Sequence, residues 1–510
     1  MTDDRQPFDL LIVGGGVNGA GIACDAAGRG LKVALAEQDD LAGATSSASS
    51  KLIHGGLRYL EQYQFRLVRE SLRERDVLLA KAPHIVGHRP FVLPFLHERR
   101  PAWMLRLGLL LYDALAWPTR LPRSAAVDLA GSPLGQPLRD DITRGFVYAD
   151  CWVDDARLVV LNAVAAAEAG ARVMTRTRIV AARRDGPLWQ ARLKDMRDGR
   201  ETAVVARVLV NAAGPWVDRV RDMATGGGDR PSGRKVRLVK GSHLVVPRLY
   251  AGEQAYILQN PDGRVVFVLP YEGSFSIIGT TEVAFSGDPA AVAMDADEAE
   301  YICASVNGYV KAPVAPADAV WSYAGIRPLF DDRAASASAV TRDYVLDLDS
   351  GAAGDRPPLL SVFGGKITTY RRLAEHALDR LARFFPAMAG AWTAGRPLPG
   401  GDLDGHGGDF RAFAAALAGD HPALDAAWLA RLARRHGSRA RLVLDGVRRV
   451  GDLGRDFGGG LYEREIEYLA AREWAETADD VLWRRTKCGL RMTAGERDAV
   501  AAYFASRRSG

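Results

Sequence analysis

The first 40 residues constrain the fold most, because their residue types alternate with the spacing of a β-α-β unit. An apolar run at 10–13 is followed by a glycine turn, a small-residue helix pattern at 20–28 and a second apolar run at 32–37. Short apolar strands of this kind are typical of buried parallel strands. The sequence therefore predicts an α/β domain that begins with a parallel sheet.

The turn between strand and helix has the spacing G-x-G-x-x-G, formed by Gly14, Gly16 and Gly19. The first glycine permits the tight turn, the second lets the backbone approach a pyrophosphate, and the third lets helix and strand pack closely. Glu37 ends the next strand, where a carboxylate can accept hydrogen bonds from ribose hydroxyls. An ordinary glycine turn would lack this context, so we predict a site for an adenine dinucleotide.

The loop at 44–59 bears on which dinucleotide is bound. It is dense in serine and threonine and continues into Lys51, Leu52, Ile53 and the pair Gly55-Gly56. A flavin needs donors around its pyrophosphate and ring, whereas NAD-dependent dehydrogenases have no need of such a loop here. The alternative, a solvated serine-rich linker, fits poorly with the residues that follow. The loop favours FAD.

Composition excludes several other classes of protein. The chain has 510 residues, with 48% hydrophobic and 25% charged residues, close to the averages for globular proteins. Its net charge of +5 lacks the clustered excess of a strong nucleic-acid binder, so we predict no nucleic-acid partner. The four cysteines are far apart and offer no zinc ligand set, which suits a reducing cytosol. The polar N-terminus does not resemble a secretory signal.

The rest of the chain alternates strand-like and helical runs until its composition changes near residue 392. The predicted strands are 206–212, 238–246, 264–269, 276–280 and 359–363, and the predicted helices include 57–81 and 156–169. A cluster of glycine and proline at 395–401 resembles a linker, and helices rich in alanine, arginine and leucine follow. We therefore predict an α/β region interleaved with an antiparallel sheet over 1–390, and a helical domain over 400–510.

Several motifs then identify a family. The stretch TSSASSKLIHGGLRY at 45–59 closely resembles the aerobic, quinone-linked glycerol-3-phosphate dehydrogenases, which are FAD enzymes of the D-amino-acid-oxidase-like fold. The likeness continues through YADCWVDDARL (148–158), NAAGPW (211–216), KGSH (240–243), IGTT (278–281), GIRPL (325–329), TRDY (341–344) and FGGKITTYR (363–371). The motif WRRTK at 483–487 resembles the C-terminal helical cap of the family.

The resemblance implies a fold and its division into domains. A Rossmann-like FAD-binding domain, in segments of about 1–80, 150–235 and 340–390, is expected to interleave with a substrate domain built on an antiparallel sheet. The substrate segments are about 81–149 and 236–339, and the cap is 400–510. The implied FAD-binding residues are Gly14, Gly15, Gly16, Asn18, Gly19, Glu37, Gln38, Thr45, Ser46, Ser47, Ser50, Lys51, Leu52, His54, Gly55, Gly56, Ala213, Gly214, Gly364, Gly365, Lys366, Ile367 and Thr368.

The resemblance also implies an activity in glycerol metabolism. sn-Glycerol 3-phosphate would be oxidised at C2 to dihydroxyacetone phosphate, with a hydride passing to flavin N5 and electrons then passing to ubiquinone. A phosphate dianion needs arginine or lysine donors, and arginine is best because its planar fork binds two oxygens. The implied substrate-binding residues are Arg58, Tyr59, Arg327, Arg342, Lys366 and Thr368. FAD is expected to be noncovalent, because His54-Gly55-Gly56 resembles family members without a flavin linkage.

The group that takes the hydroxyl proton stays open among His54, His243 and Arg327. Histidine has a pKa suited to base work near neutral pH. An arginine remains charged in proteins, so it would stabilise an alkoxide more readily than remove a proton. Lys366 joins these three in the candidate catalytic set, since it follows two glycines and is expected to reach the substrate.

Three other functions remain as alternatives. An oxidase of the same fold would pass its electrons to O2, an amine or amino-acid oxidase would need a carboxylate clamp, and a nonenzymatic binding protein would not reduce its flavin. The sequence leaves the oligomeric state open, a homodimer included.

Ubiquinone is dissolved in the membrane, so an enzyme that reduces it must reach lipid. The segment 99–117 has basic residues at its start, an apolar centre, and Trp103, Tyr112 and Trp117 near its ends. These features are expected of an interfacial helix, although an apolar run this short also suits a buried core helix. We expect a cytoplasmic protein that associates peripherally with the inner face of the cytoplasmic membrane.

Overall fold

The computed structural model describes residues 6–95, 101–226, 236–330, 343–351 and 354–508. The strands are β1 (Phe8–Val13), β2 (Val33–Ala36), β3 (Leu52–Ile53), β4 (Val86–Pro94), β5 (Ala125–Asp128), β6 (Arg144–Val153), β7 (Arg172–Met174), β8 (Thr177–Asp185), β9 (Leu188–Asp195), β10 (Glu201–Asn211), β11 (Val236–Pro247), β12 (Ala255–Gln259), β13 (Val265–Tyr271), β14 (Phe275–Gly279), β15 (Val283–Ala284), β16 (Trp321–Phe330), β17 (Val345–Asp349) and β18 (Leu359–Phe363). The helices are α1 (Val17–Gly28), α2 (Phe65–Lys81), α3 (Ala102–Ala116), α4 (Asp155–Glu168), α5 (Val217–Thr225), α6 (Ala296–Asn307), α7 (Tyr370–Leu381), α8 (Phe410–Asp420), α9 (Ala426–His436), α10 (Ala440–Val443), α11 (Glu463–Glu473) and α12 (Ala494–Arg508).

The first sheet confirms the mixed α/β fold class and its parallel start. Six of its strands lie in the order β17-β18-β10-β1-β2-β7, with β9 pairing with β10 and β8 with β9, and β1 pairs in parallel with both β2 and β10. Helices α1, α4 and α7 cover one face and bury a core of small and branched apolar side chains. Because the carboxyl ends of the parallel strands meet at one edge, the turn after β1 opens at that edge.

The second sheet is largely antiparallel. Its strands lie in the order β15-β11-β14-β13-β12-β4-β6-β3, with β16 pairing with β11 and β5 with β6. Helix α6 packs on one face, and α2 and α3 pack on the other. The chain enters this sheet through β3, directly after the serine-rich loop. That loop therefore lies between the two sheets.

The C-terminal helices α8–α12 form a unit with its own apolar core, which runs from Leu403 to Phe504. The segment before it is well packed. Lys81, at the end of α2, donates to the carbonyl of Arg396 at 2.8 Å and accepts from the amide of Leu398 at 3.0 Å. The linker-like cluster is thus held against the end of α2.

One predicted helix is wrong in its extent. The run 57–81 is a 3-10 helix over Leu57–Gln62 followed by α2, which begins at Phe65. Tyr63 has a φ of 56°, a left-handed conformation that ends a helix and redirects the chain. The break lets Arg58 and Tyr59 face a cavity while α2 packs on the second sheet. Among the described residues, no helix is both long enough and apolar enough to cross a membrane.

Candidate active site

The glycine turn lies where the sequence predicts it, between β1 and α1. Gly14 has a φ of 108°, and a Cβ there would lie 2.5 Å from the carbonyl oxygen of Ala212. A Cβ at Gly19 would lie 1.8 Å from the carbonyl oxygen of Gly14. Contacts this close between a Cβ and neighbouring backbone require glycine at both positions, so this turn consists of bare backbone, and we call it the glycine cradle. Gly214 begins a 3-10 turn just beyond Ala212 and Ala213.

Glu37 closes one end of this cradle. Its Oε2 accepts from the amide of Gly15 at 2.6 Å and its Oε1 from the amide of Asp39 at 2.8 Å. Burial raises the pKa of Glu37 to about 7. Each carboxylate oxygen keeps a second acceptor position, so the group can still bind ribose hydroxyls. Gln38 lies outward, where its Oε1 accepts from Arg178 at 3.1 Å.

The serine-rich loop joins the cradle to the second sheet. Ser46 Oγ accepts from the amide of Val17, the first residue of α1, at 2.9 Å. Thr45 Oγ1 donates to the carbonyl of Ile326, in β16, at 2.6 Å. The loop is therefore an ordered bridge, and the solvated-linker interpretation is wrong.

Lys51 contacts protein groups within the loop. Its Nζ lies 2.7 Å from Asp155 Oδ1 and 2.9 Å from the carbonyl of Ser47. Asp155 also accepts from the hydroxyl of Ser49 at 2.7 Å. Lys51, predicted as an FAD ligand, thus braces the loop against the start of α4. Asp155 is not among the residues predicted from the sequence, although it lies within the family motif at 148–158.

Gly55 makes close packing contacts that the sequence does not predict. A Cβ there would lie 2.5 Å from both Leu72 Cδ2 and the hydroxyl of Tyr112. The Gly55 amide donates to that hydroxyl at 2.9 Å, and the hydroxyl donates to Asp150 at 2.7 Å. Gly55 is therefore required by packing against α2 and α3. Gly56, with a φ of 78°, turns the chain into the segment that carries Arg58.

A cavity of about 780 Å³ lies beside the loop and the second sheet. Its apolar lining includes Leu52, Phe91 and Ile257 on the sheet side and Leu107 from α3. Its polar lining includes Ser49, Ser50, His54, Arg58, Tyr59, Thr280, Glu282 and Arg327. A concave, mostly apolar cavity with a few convergent polar groups is typical of small-molecule sites.

Arg327 extends from β16 into this wall. Its Nη1 donates to Glu282 Oε1 at 3.2 Å, and its Nη2 donates to Thr280 Oγ1 at 3.3 Å. The guanidinium is therefore held in one orientation. Glu282 and Thr280 are not among the residues predicted from the sequence, although Thr280 lies in the motif IGTT.

The segment 364–369 connects the cradle to the cavity. Asn18, in α1, donates through Nδ2 to the carbonyl of Gly364 at 3.1 Å, across 346 positions of sequence. Thr368 Oγ1 accepts from the amide of His54 at 3.3 Å. Lys366 Nζ lies 3.7 Å from the centroid of the Tyr59 ring. The structure thus brings together distant residues predicted for FAD and for substrate.

The two candidate histidines occupy different positions. His54 lines the cavity. His243 is buried behind Ser50, with Nε2 at 2.9 Å from the serine hydroxyl and its ring stacked on Tyr323 at 4.8 Å. Burial, with help from Arg327 and Lys51, holds the pKa of His243 well below its ordinary value, so the ring is neutral near pH 7. Arg342, the remaining predicted substrate residue, lies outside the described residues.

These residues fit a bound adenine dinucleotide. The cradle at Gly14 and Gly19 presents backbone alone, and Glu37 presents a carboxylate beside it. Asn18 Oδ1 is buried with no hydrogen-bond partner among the described residues. A buried acceptor of this kind calls for a donor that a ligand can provide.

Comparisons with known proteins agree with this geometry. A family model described as FAD dependent oxidoreductase matches residues 9–371, and one described as the C-terminal domain of alpha-glycerophosphate oxidase matches residues 391–506. The chain is 53% identical to a glycerol-3-phosphate dehydrogenase of Pseudomonas aeruginosa over 502 residues, covering 98% of this chain and 96% of that one. It is 50% identical to a D-erythritol 1-phosphate dehydrogenase of Brucella abortus over 502 residues, covering 98% of each.

A solved structure extends the likeness to three dimensions. The glycerol-3-phosphate dehydrogenase of Bacillus halodurans, complexed with FAD, matches with a TM-score of 0.77 and 27% identity, covering 99% of this chain and 92% of that one. The family matches span both the FAD-binding region and the C-terminal helices. The chain therefore belongs to the FAD-dependent oxidoreductases, in the family of the glycerol-3-phosphate dehydrogenases.

Proposed function

We propose that this protein oxidises sn-glycerol 3-phosphate at C2 to dihydroxyacetone phosphate, with noncovalently bound FAD, and passes the electrons to ubiquinone. The observation that carries the proposal is the oriented guanidinium of Arg327 in the wall of the cavity. Arg58 lines the same cavity, and Lys366 lies against the ring of Tyr59. Several cationic groups around one cavity suit a phosphate dianion.

These side chains would bind and orient the substrate. Arg327 offers two N–H groups in a plane, which matches the geometry of two phosphate oxygens. Glu282 and Thr280 hold that plane in place before substrate arrives, so little conformational entropy is lost on binding. FAD, when bound, supplies the hydride acceptor at N5.

The hydroxyl proton at C2 needs an acceptor, which stays open among His54, His243 and Arg327. His54 lines the cavity and is therefore the direct candidate. His243 is neutral and hydrogen-bonds to Ser50, so it would act through that hydroxyl. Arg327 keeps its charge and would instead stabilise the developing alkoxide.

A longer phosphorylated polyol is a second candidate substrate. The Brucella abortus relative is a D-erythritol 1-phosphate dehydrogenase, and its 50% identity to this chain is close to the 53% of the Pseudomonas aeruginosa glycerol-3-phosphate dehydrogenase. The cavity volume of about 780 Å³ would also accommodate an additional carbon with its hydroxyl. The ratio of kcat/KM for the two substrates separates them, and our proposal predicts a preference for sn-glycerol 3-phosphate.

The electron acceptor requires its own test. A same-fold oxidase would form peroxide in air, whereas the proposed dehydrogenase would reduce a soluble ubiquinone analogue and form little peroxide. An amino-acid oxidase would oxidise amino acids rather than phosphates. We expect turnover with sn-glycerol 3-phosphate and the quinone analogue in the absence of oxygen. Equal turnover with oxygen alone would favour the oxidase.

Helix α3 supports peripheral association with the inner face of the cytoplasmic membrane. Its buried side carries Leu109, Tyr112 and Ala116, as a core helix would. Its other side exposes Trp103, Leu107 and further apolar side chains. Leu107 also lines the cavity, so the cavity lies beside this exposed side. A quinone leaving the membrane would reach the cavity from here.

Vesicle flotation tests this association. Changing Trp103, Leu107 and Leu110 together to serine removes exposed apolar area without touching the buried side, so flotation with anionic vesicles should fall strongly while FAD is retained. Leu442→Ser is the control, because Leu442 is 53% exposed on the C-terminal unit. Unchanged flotation of the triple variant would exclude α3 as the membrane contact.

A further inference from the structure

The motif at 483–487 lies against the FAD-binding region. Trp483 to Arg485 belong to a π-helix over Asp480–Arg485, an uncommon conformation that is frequent at functional sites. Lys487 follows with a φ of 59°, in the left-handed region that side chains seldom adopt. Such a backbone persists only where the surroundings hold it.

Lys487 makes the first connection from this motif to the cavity. Its Nζ is buried and lies 2.9 Å from Asp154 Oδ1, at the start of α4. The next residue, Asp155, holds the ammonium of Lys51 and the hydroxyl of Ser49, each at 2.7 Å. Two adjacent aspartates thus connect the C-terminal unit to the serine-rich loop.

A row of aromatic rings makes the second connection. Trp483 stacks on Trp321 with centroids 4.9 Å apart and planes 19° apart. Trp321 contacts Tyr323 at 5.0 Å, and Tyr323 stacks on His243 at 4.8 Å. The hydroxyl of Tyr323 donates to the carbonyl of Ser49 at 3.0 Å.

Both connections end on the same part of the cavity wall. The contact of Lys487 with Asp154 leads to Ser49 through the adjacent Asp155. The aromatic row leads to Ser49 through Tyr323. The row also fixes His243, which hydrogen-bonds to Ser50. Ser49 and Ser50 line the cavity.

We propose that Trp483 and Lys487 are positioning residues, which hold the Ser49–Ser50 wall of the active site in register from the C-terminal unit. The inference rests on the proposed function, because it takes this cavity as the place of reaction. A small misplacement of groups around reacting atoms is enough to slow an enzyme strongly. The C-terminal unit would then act on the active site indirectly, by positioning the Ser49–Ser50 wall.

Other contacts keep the C-terminal unit docked when these two residues change. Arg485 forms a buried two-point pair with Asp40 at 2.7 and 2.8 Å. Arg157 pairs with Glu473 in the same interface. The consequences of losing Trp483 or Lys487 are therefore separable from loss of the unit.

The test uses Trp483→Leu and Lys487→Met in the full-length holoenzyme. Each variant should retain FAD and reduce it with sn-glycerol 3-phosphate roughly tenfold more slowly than wild type. The loss of reduction rate in the double variant should be smaller than the two single losses combined, because both connections end on the same wall. Trp483→Phe, which keeps an aromatic ring, should recover most of the rate.

A second readout is independent of turnover. The visible circular dichroism of bound FAD arises from its surroundings, so it should change in Trp483→Leu and return in Trp483→Phe. The control is Trp428→Leu, because Trp428 is buried within the C-terminal unit against Tyr462. It should lower the Tm further while leaving the reduction rate and the dichroism of folded enzyme unchanged.

The outcomes distinguish a failure of the positioning role from a failure of the proposed function. A wild-type rate and wild-type dichroism in Trp483→Leu would overturn the positioning role. An equal loss in Trp428→Leu would also overturn it, since general destabilisation would explain both variants. If wild-type enzyme leaves its flavin oxidised with sn-glycerol 3-phosphate, the proposed function fails, and the dichroism alone then decides whether Trp483 positions the wall.

Discussion

The glycine cradle and the cavity differ in how the chain builds them. The cradle comes from one short segment after β1, and its shape follows from backbone conformation at Gly14 and Gly19. The cavity wall is assembled from side chains on separate elements, among them Ser50, Arg58 and Arg327. A single substitution in the glycine turn disrupts its whole backbone conformation. A single substitution in the cavity wall removes the contacts of one side chain and leaves the others in place. The two regions should therefore respond differently to substitution.

The largest effect is expected at Gly14. Valine there would force its side chain against the carbonyl of Ala212 and strain a backbone with a φ of 108°, so Gly14→Val should purify without FAD. Absorbance of the flavin per protein measures this. Gly170→Ala is the control, because Gly170 has a φ of 95° but nothing within 4 Å of an added Cβ. A yellow Gly14→Val protein at full occupancy would refute the cradle.

Arg327→Ala should have the next largest effect. Loss of a charge-assisted contact costs about 1.5–3 kcal/mol, or roughly ten- to a hundredfold in kcat/KM for sn-glycerol 3-phosphate. Activity on glycerol, which has no phosphate, should fall much less. Arg248→Ala is a matched control, since Arg248 binds Glu253 and nearby carbonyls outside the cavity. Equal losses on both substrates would mean that Arg327 acts at the reacting carbon.

These two regions were also unequally predictable from sequence. The cradle, its flanking strand and Glu37 follow from spacing, because a local motif carries its own geometry. The cavity depended on family resemblance, because no spacing relates Asn18 to Gly364 or Arg327 to Glu282. Asp155 and Tyr112 escaped prediction for the same reason: each acts through a partner distant in sequence. The break at Tyr63 was missed because helical periodicity continues through it.

A moderate effect concerns pH and Glu37. The folded pKa of about 7 lies above the ordinary value of 4.5, so the folded apoprotein holds an extra proton between these values. The contribution of Glu37 to the free energy of unfolding of the apoprotein is therefore greatest at low pH and declines as pH rises from 4.5 to 7. Ribose hydroxyls favour the ionised carboxylate, so FAD affinity should rise across the same window.

Glu37→Gln tests this pH dependence. Both slopes, the Tm of the apoprotein and the affinity for FAD against pH, should flatten in the variant. A wild-type FAD affinity that is constant through this range would contradict the placement of the Glu37 carboxylate at the ribose.

The smallest effect is expected at Gln38, which lies at the surface against Arg178. Gln38→Ala should change FAD affinity by less than about threefold, as surface substitutions usually do. Fluorescence titration of apoprotein with FAD measures it. A loss as large as that of Gly14→Val would show that the cradle extends along the chain past Glu37.

We propose that the cavity delivers sn-glycerol 3-phosphate to the flavin, and the visible spectrum of the flavin reports whether it does. Purified enzyme is placed under anaerobic conditions, and its visible absorption is recorded before and after addition of sn-glycerol 3-phosphate. We predict that the flavin bleaches fully with sn-glycerol 3-phosphate and at most slowly with glycerol. A flavin that stays oxidised with sn-glycerol 3-phosphate, in enzyme with full FAD occupancy, would show that this protein does not oxidise sn-glycerol 3-phosphate.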